Sequence, residues 1–349
     1  MSQSRLSFAL SASDTLPEQG QIALFAPSAA QDLNALPLDR LVAFQPFKPD
    51  HDALAARGVA MAQTPAGPYA AAVVFAPRAK AQARALLAQA CECVEPGGPI
   101  YIDGAKSEGI DSLLKELRGL VVLDAPIAKA HGKIARFSAD PAALADWAAR
   151  DIAAAPGFVT RPGVFSADGV DEGSALLAAC LPETLPARVA DLGAGWGWLA
   201  AQALARQGVQ EIALYEADAI ALECARRNIT DPRAQFYWED VTRLPAGARY
   251  DAIVMNPPFH KSRDAEPGLG EAFIAAAARL LTPSGTLWMV ANRHLPYADA
   301  LAKSFREIQE ITPPSGPSTR FRITRAQGVI STREQARAAT PPRPSRTRR

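Results

Sequence analysis

Residues 188–198, R-V-A-D-L-G-A-G-W-G-W, constrain the fold of this chain more than any other stretch. Small apolar residues run into Asp191. Gly193, Gly195 and Gly197 then alternate with Ala194 and Trp196, and an Ala/Leu-rich helical pattern follows over residues 199–206. That order describes a buried parallel strand, a tight turn and a helix packed back on the sheet. Glycines suit such a turn because the backbone takes unusual dihedrals there and approaches a ligand with no Cβ in between. The spacing is G-x-G-x-G rather than the G-x-G-x-x-G of dinucleotide-binding turns, and Asp191 stands two residues before the first glycine. Both details favour S-adenosylmethionine over a pyrophosphate-bearing cofactor.

The chain has 349 residues, room for about two domains of ordinary size. With 48% hydrophobic and 21% charged residues it is globular, and a net charge of +1 makes no global case for a nucleic-acid binder. Cys91, Cys93, Cys180 and Cys224 form no pair of C-x-x-C motifs, so reduced, inert thiols and no metal site are expected. The N-terminus lacks a charged region followed by an apolar core, and no apolar run reaches membrane-spanning length. These features predict a soluble, cytoplasmic protein, expected to be a monomer.

Residues 1–18 are polar without clear periodicity and are expected to form an irregular lead-in. Residues 21–26 (Q-I-A-L-F-A) read as a short buried strand, with weaker strands at 41–44 and 58–60. A continuous apolar run at 69–75, a helix at 80–91, a turn into a strand at 95–103 and a basic strand at 132–137 complete this half. Residues 141–156, helical in their Ala-Leu-Ala-Asp-Trp-Ala-Ala core, read as the connection. The alternation argues for an α/β domain with a mainly parallel sheet, ending near residue 150.

The second half echoes the first. Glu95-Pro96-Gly97-Gly98-Pro99-Ile100-Tyr101-Ile102 parallels Thr282-Pro283-Ser284-Gly285-Thr286-Leu287-Trp288-Met289, and Val73 to Pro77 parallels Ile253 to Pro257. The elements come in the same order, as in a duplicated domain. In the first copy Pro27-Ser28-Ala29-Ala30 replaces the alternating glycines, and Ala76 stands where the second has Asn256. The first copy is therefore expected to fold without running the same reaction, as a scaffold or substrate-positioning lobe.

In the second half, Pro162-Gly163-Val164-Phe165-Ser166 suits a loop over a ligand, with Phe165 able to cover an apolar or planar group or simply to anchor the loop. After the glycine turn, a strand at 211–215 ends at Glu216, about 20 residues beyond the glycines, where a carboxylate can accept both ribose hydroxyls of a nucleoside. Asp218 is a reserve acid. A third strand at 235–238 leads to Asp240, placed for the amino group of an adenine or left as a surface acid, with Val241 against the ring. A fourth strand runs into Asn256-Pro257-Pro258-Phe259-His260. The two prolines donate no backbone hydrogen bonds and stiffen the chain, so the Asn256 side-chain oxygen and the Pro257 carbonyl can aim at one spot. Two such acceptors suit the two N–H bonds of a planar exocyclic amine, and Phe259 can stack on the base that carries it. His260 can shuttle the released proton or serve as an ordinary loop histidine.

Gly163-Val164-Phe165-Ser166, Asp191-Leu192-Gly193-Ala194-Gly195, Asn256-Pro257-Pro258-Phe259-His260 and Val290-Ala291-Asn292-Arg293-His294-Leu295-Pro296-Tyr297 occur in this order. Together they resemble the ribosomal RNA guanine-N2 methyltransferases, of which the C type modifies small-subunit RNA and the G type large-subunit RNA. The resemblance is close over residues 160–330 and looser over 20–140. It implies two tandem Rossmann-like methyltransferase domains with mainly parallel sheets, the N-terminal copy degenerate. It implies a scaffold or RNA-positioning domain at 1–150 and a catalytic domain at 151–330, closed by an antiparallel strand pair. It further implies S-adenosylmethionine held by Phe165, Asp191, Gly193, Gly195, Gly197, Glu216, Asp240 and Asn256. The target guanine of ribosomal RNA, in the 16S small-subunit RNA by preference, would sit on Asn256, Pro257, Pro258 and Phe259. Trp196 and Trp198 are bulkier than the usual residues of the turn.

The tail, residues 331–349, sets Arg333, Arg337, Arg343, Arg346, Arg348 and Arg349 against one acid, Glu334. It reads as disordered when free, as a source of phosphate contacts or as a solubilising tail. The same Asn-Pro-Pro-Phe would also serve adenine N6 or a protein glutamine amide. A non-catalytic ribosome-assembly factor is the rival from another class. A nicotinamide oxidoreductase is disfavoured by the glycine spacing and by the lack of a hydride-side acid–base pair.

Overall fold

The computed structural model describes residues 4–11, 16–247, 250–258 and 267–330. They fall into two compact units. One comprises the described residues up to 154 with 159–168 and 218–220, and the other 155–158, 169–217 and the described residues from 221 to 330.

The first unit carries strands β1 (Ile22–Phe25), β2 (Leu41–Phe44), β3 (Ala60–Met61), β4 (Ala71–Phe75), β5 (Pro99–Ala105), β6 (Ile127–Lys129) and β7 (Gly132–Ser138). Its helices are α1 (Arg5–Ser11), α2 (Lys48–Ala56), α3 (Lys80–Cys93) and α4 (Ile110–Leu117). The sheet order is β3-β2-β1-β4-β5-β7-β6. The first five strands pair in parallel, while β7 runs antiparallel to both β5 and β6. Residues alternate between two cores along each strand: Ala23, Phe25, Ala72, Val74 and Ile100 face one side, Ile22, Leu24, Val73, Phe75 and Tyr101 the other. Burial on both faces is why these strands read as continuous apolar runs in the sequence.

A two-stranded hairpin, β8 (Ile152–Ala155) with β9 (Phe158–Thr160), follows. The second sheet contains β10 (Arg188–Leu192), β11 (Glu211–Glu216), β12 (Ala234–Trp238), β13 (Tyr250–Met255), β14 (Leu281–Asn292), β15 (Phe305–Ile311) and β16 (Phe321–Val329). Helices α5 (Glu172–Cys180), α6 (Trp198–Leu204), α7 (Ala219–Asn228), α8 (Pro267–Leu280) and α9 (Ala298–Ser304) accompany them. Its order, β12-β11-β10-β13-β14-β16-β15, repeats the first sheet strand for strand. The expected closing pair is present, β16 lying antiparallel to β14 and β15.

The repeat extends to the turn after the first strand of each sheet. Ala26 has φ of 52° and donates its N–H to Phe44 O at 3.0 Å; Gly193 has φ of 76° and donates to Tyr215 O at 2.8 Å. The degenerate copy thus keeps the first step of the turn and loses the glycines beyond it.

Two expectations need correction. Residues 5–11 are helical, not irregular: Leu6 and Ala9 are buried, and Arg5 reaches Asp103 at 2.5 Å and the Ala130 carbonyl at 2.9 Å. Within 141–156 the expected helix is a single 3-10 turn, Ala145–Trp147, and residues from Ile152 turn into β8. The basic tail lies outside the described residues.

Among the described residues no helix is long and apolar enough to cross a membrane, and no group of His, Cys, Asp and Glu is placed to hold a metal ion. Cys91 and Cys93 are buried, and desolvation pushes both thiols up to about 11.

Candidate active site

Strand register assembles the site at the carboxyl edge of the second sheet. β10 pairs in parallel with β13, Leu192 opposite Met255, so Gly193 and Asn256 leave neighbouring strands side by side. A Cβ built on Gly193 would stand 4.0 Å from Pro258 Cδ and 3.2 Å from Phe273 Cε1 on α8. The glycine turn and the Asn-Pro-Pro segment therefore border one space.

The turn is stitched to the end of β11. The N–H groups of Gly193 and Ala194 both donate to Tyr215 O, at 2.8 and 3.1 Å. One step on, Gly195 N–H donates to Glu216 Oε2 at 2.8 Å, fixing that carboxylate at the turn. Two glycines answer different demands. Gly195 (φ 56°) would point a Cβ into open space, with nothing within 4 Å. Gly197 (φ 87°) caps α6, and a Cβ there would lie 2.9 Å from Ile229 Cδ1 and 3.1 Å from Ala225 Cβ. The first glycine leaves room for a ligand; the second permits close packing of α6 against the chain around α7. The bulky Trp196 is buried, edge-on to Phe158 with centroids 5.6 Å apart, so it occupies the interior beneath the turn.

Asp191 is 1% exposed, and its Oδ2 has no hydrogen-bond partner among the described residues. Burial first, then the nearby negative charge of Glu216, pushes its carboxyl up to about 8. It is therefore enclosed near the end of β10 rather than lining an open surface. Asp240 follows β12 and caps the next turn: Oδ1 accepts from Thr242 N–H at 2.9 Å and from Thr242 Oγ1 at 2.7 Å. Its Oδ2 lies 3.6 Å from Arg243 Nε.

Asn256 is held from one side. Its Nδ2 donates to Asp171 Oδ2 at 2.8 Å and to Ser174 Oγ at 2.9 Å. An ionised carboxylate only accepts, so these partners fix which end of the amide carries the hydrogens. The carbonyl oxygen Oδ1 consequently points to the opposite side. Asp171 is itself fixed as the N-cap of α5, the same Oδ2 accepting from Ser174 N–H at 2.8 Å. Sequence reasoning did not assign Asp171 and Ser174 to Asn256. The spacing Asp-x-x-Ser ahead of an apolar run is an N-cap signal, but nothing local announces the reach to Asn256, 85 residues away. Pro257 is buried and Pro258 exposed, consistent with a stiff segment whose first proline packs inward.

Of the other expected site residues, Phe165 belongs to the first unit and is 59% exposed. Phe259 and His260 lie outside the described residues. The motif from Val290 to Tyr297 divides its labour: Leu295 and Tyr297 are buried, Tyr297 packing so close to Gly270 of α8 that no Cβ fits there. Asn292, Arg293 and His294 instead line a cleft.

Residues 156–321 match the family model described as "Methyltransferase small domain", and residues 40–125 match "Methyltransferase small domain N-terminal". The "Ribosomal RNA small subunit methyltransferase C" of Shewanella oneidensis is 32% identical over 251 residues, covering 69% of this chain and 73% of that protein. The protein of the same name from Shewanella loihica is 33% identical over the same shares. Among solved structures, a T. thermophilus 16S rRNA N2 methyltransferase (RsmC), in complex with AdoMet and guanosine, superposes with a TM-score of 0.73 at 27% identity, covering 90% of each chain. With two matched domains in tandem and curated relatives covered over most of their length, the chain belongs to the ribosomal RNA small subunit methyltransferase C family.

Proposed function

We propose that this protein transfers a methyl group from S-adenosylmethionine to the exocyclic N2 amine of a guanine in 16S ribosomal RNA, acting in the cytoplasm as a monomer. The observation that carries the reading is the one-sided hold on Asn256 beside the glycine turn. With Nδ2 tied to Asp171 and Ser174, the free acceptor face of the amide is turned to where a planar amine would donate.

The residues present suit the cofactor. The open space at Gly195 and the carboxylate of Glu216, fixed by the Gly195 N–H, form a cradle for a nucleoside with an acceptor for its ribose hydroxyls. Asp240 keeps Oδ2 on the far side of its capping interaction, for an adenine amino group. Asp191 is buried near the end of the strand that feeds the turn. When bound, S-adenosylmethionine supplies an electrophilic methyl on a sulfonium.

The protein's own part is positioning and polarisation. Asn256 Oδ1 and the Pro257 carbonyl accept from the two N–H bonds of the guanine amine. This raises electron density on the nitrogen and aligns its lone pair. Asp171 and Ser174 keep Asn256 from rotating its NH2 toward the amine, which would present donor to donor. Pro258 stiffens the segment, and Phe259 stacks on the base, which must be unpaired to reach it. The degenerate first domain serves as scaffold and RNA-positioning lobe.

The test is methyl transfer from labelled S-adenosylmethionine to purified small and large ribosomal subunits from cells lacking this gene. Label confined to the small subunit is expected. Label in the large subunit alone, or in neither, would overturn the substrate assignment.

A further inference from the structure

At the end of β14 the second unit carries a cleft of about 570 Å³ lined by Asn292, Arg293, His294, Thr319 and Arg320. Each lining side chain offers a hydrogen-bond donor and none is a carboxylate. We propose that this cleft binds a phosphate of the RNA strand next to the target nucleotide, with Arg320 as its principal contact. The inference rests on the methyl-transfer reading of Asn256 for its occupant, and its own chemistry stands on the following geometry.

Asn292 ends β14, which runs parallel to β13, so the cleft opens at the same sheet edge as Asn256. Across the antiparallel pair Asn292 faces Phe321, and Thr319 and Arg320 lead directly into that strand. The two sites share one helix start. Asp171 holds Asn256, and the next residue, Glu172, forms an ion pair with Arg320. An acceptor for the base and a cation for the backbone are therefore anchored on consecutive residues.

The two arginines do different work. Arg293 is structural: its guanidinium donates to Ser318 O at 3.2 and 3.0 Å, to Phe321 O at 3.3 Å and to Glu310 Oε1 at 2.7 Å. Its own N–H donates to Arg320 O at 2.8 Å, so it shapes the loop that presents Arg320. Glu310 is neutralised by Arg293 and by Arg322 at 3.3 Å, and Arg293 holds its carboxyl below the usual range. Arg320, by contrast, is 68% exposed, its guanidinium carbon 5.0 Å from the centroid of the Phe321 ring. Its one acidic partner among the described residues, Glu172, is also exposed, and an exposed pair of this kind holds weakly in water. A phosphate, with two acceptor oxygens matched to the guanidinium fork, can take Arg320 from Glu172.

Fluorescence anisotropy of a fluorescein-labelled single-stranded RNA hexamer, titrated with the full chain across about 50–200 mM KCl, tests this. For Arg320→Ala we expect affinity roughly fivefold lower and a salt slope reduced by about 0.7, the share of one phosphate contact on a single strand. Arg320→Lys should restore the slope. Glu172→Gln, which removes the competing acid, should bind severalfold tighter, an effect that a purely structural ion pair would not give. Unchanged S-adenosylmethionine affinity and melting temperature verify that the variants fold. A wild-type slope in Arg320→Ala, or no gain in Glu172→Gln, would overturn the proposal. Methyl transfer to small subunits is read in parallel. Normal transfer with Arg320-independent binding defeats the cleft alone. Arg320-dependent binding without transfer supports the cleft and defeats the reaction.

Discussion

Asp171→Ala probes the logic of the site most sharply, because one oxygen of this residue does two jobs. Asp171 Oδ2 accepts from Ser174 N–H and from Asn256 Nδ2, each at 2.8 Å. Losing a hydrogen bond to a charged group is worth about 1.5–3 kcal/mol. Ser174 Oγ, 2.9 Å from the same nitrogen, retains part of the hold on Asn256. The lower end of that range therefore applies, a fall in kcat of roughly 10- to 30-fold. Loss of the cap costs about 1 kcal/mol, a drop in Tm of about 2–4 °C for a unit of this size. Steady-state methyl transfer at saturating S-adenosylmethionine, calorimetric cofactor binding and a thermal scan separate these terms. Asp171→Asn sharpens the separation: asparagine caps helices well but is neutral and brings a competing donor, so Tm should hold while kcat falls. A kcat within about twofold of wild type in Asp171→Ala, with Tm lowered, would refute the reasoning and leave Asp171 as a cap alone.

Glu216→Ala should raise KM for S-adenosylmethionine by about 10- to 100-fold with a smaller change in kcat; an unchanged KM would remove Glu216 from the cradle. Gly195→Ala and Gly197→Ala should fail differently. The first, facing open space but held at a positive φ, should weaken cofactor binding about tenfold and cost only the backbone strain, about 1–2 kcal/mol. The second, crowded by Ile229 and Ala225, should destabilise the fold by about 2 kcal/mol or more. Asp191 sets a pH dependence. Its folded pKa, about 8, lies above its ordinary 3.8, so the folded state holds the proton longer. Its contribution to stability is full below the ordinary value and is lost as pH rises through about 8. Asp191→Asn should flatten that decline in a series of melting curves, and an unaltered slope would show that the carboxylate is not the cause.

Much of the fold was legible because both faces of each sheet are buried. Val73-Val74-Phe75 and Ile253-Val254-Met255 read as strands for that reason alone, and the duplication followed from their shared surroundings. Helix α1 was not legible: its register on the sheet depends on Arg5 meeting Asp103, 98 residues away, where burial raises the carboxyl and the guanidinium opposes that rise. The Ala-rich stretch near 145 has the propensity for a helix, but tertiary packing stops it after one 3-10 turn, with Trp147 under Arg84 at 5.6 Å. The site shows the same division. Gly195, Glu216 and Asn256 announce themselves by spacing along the chain. The partners of Asn256 do not, because Asp171 and Ser174 look locally like an ordinary helix cap.

In the proposed reaction Asn256 presents its oxygen to the N2 amine of a guanine. The most direct measurement is digestion of 16S RNA to nucleosides, after reaction of purified small subunits with labelled S-adenosylmethionine and either wild-type protein or Asn256→Ala. Label is expected in N2-methylguanosine with the wild type and not above background with Asn256→Ala, while the variant still binds S-adenosylmethionine. Label in N6-methyladenosine, or N2-methylguanosine formed equally well by Asn256→Ala, would contradict that role.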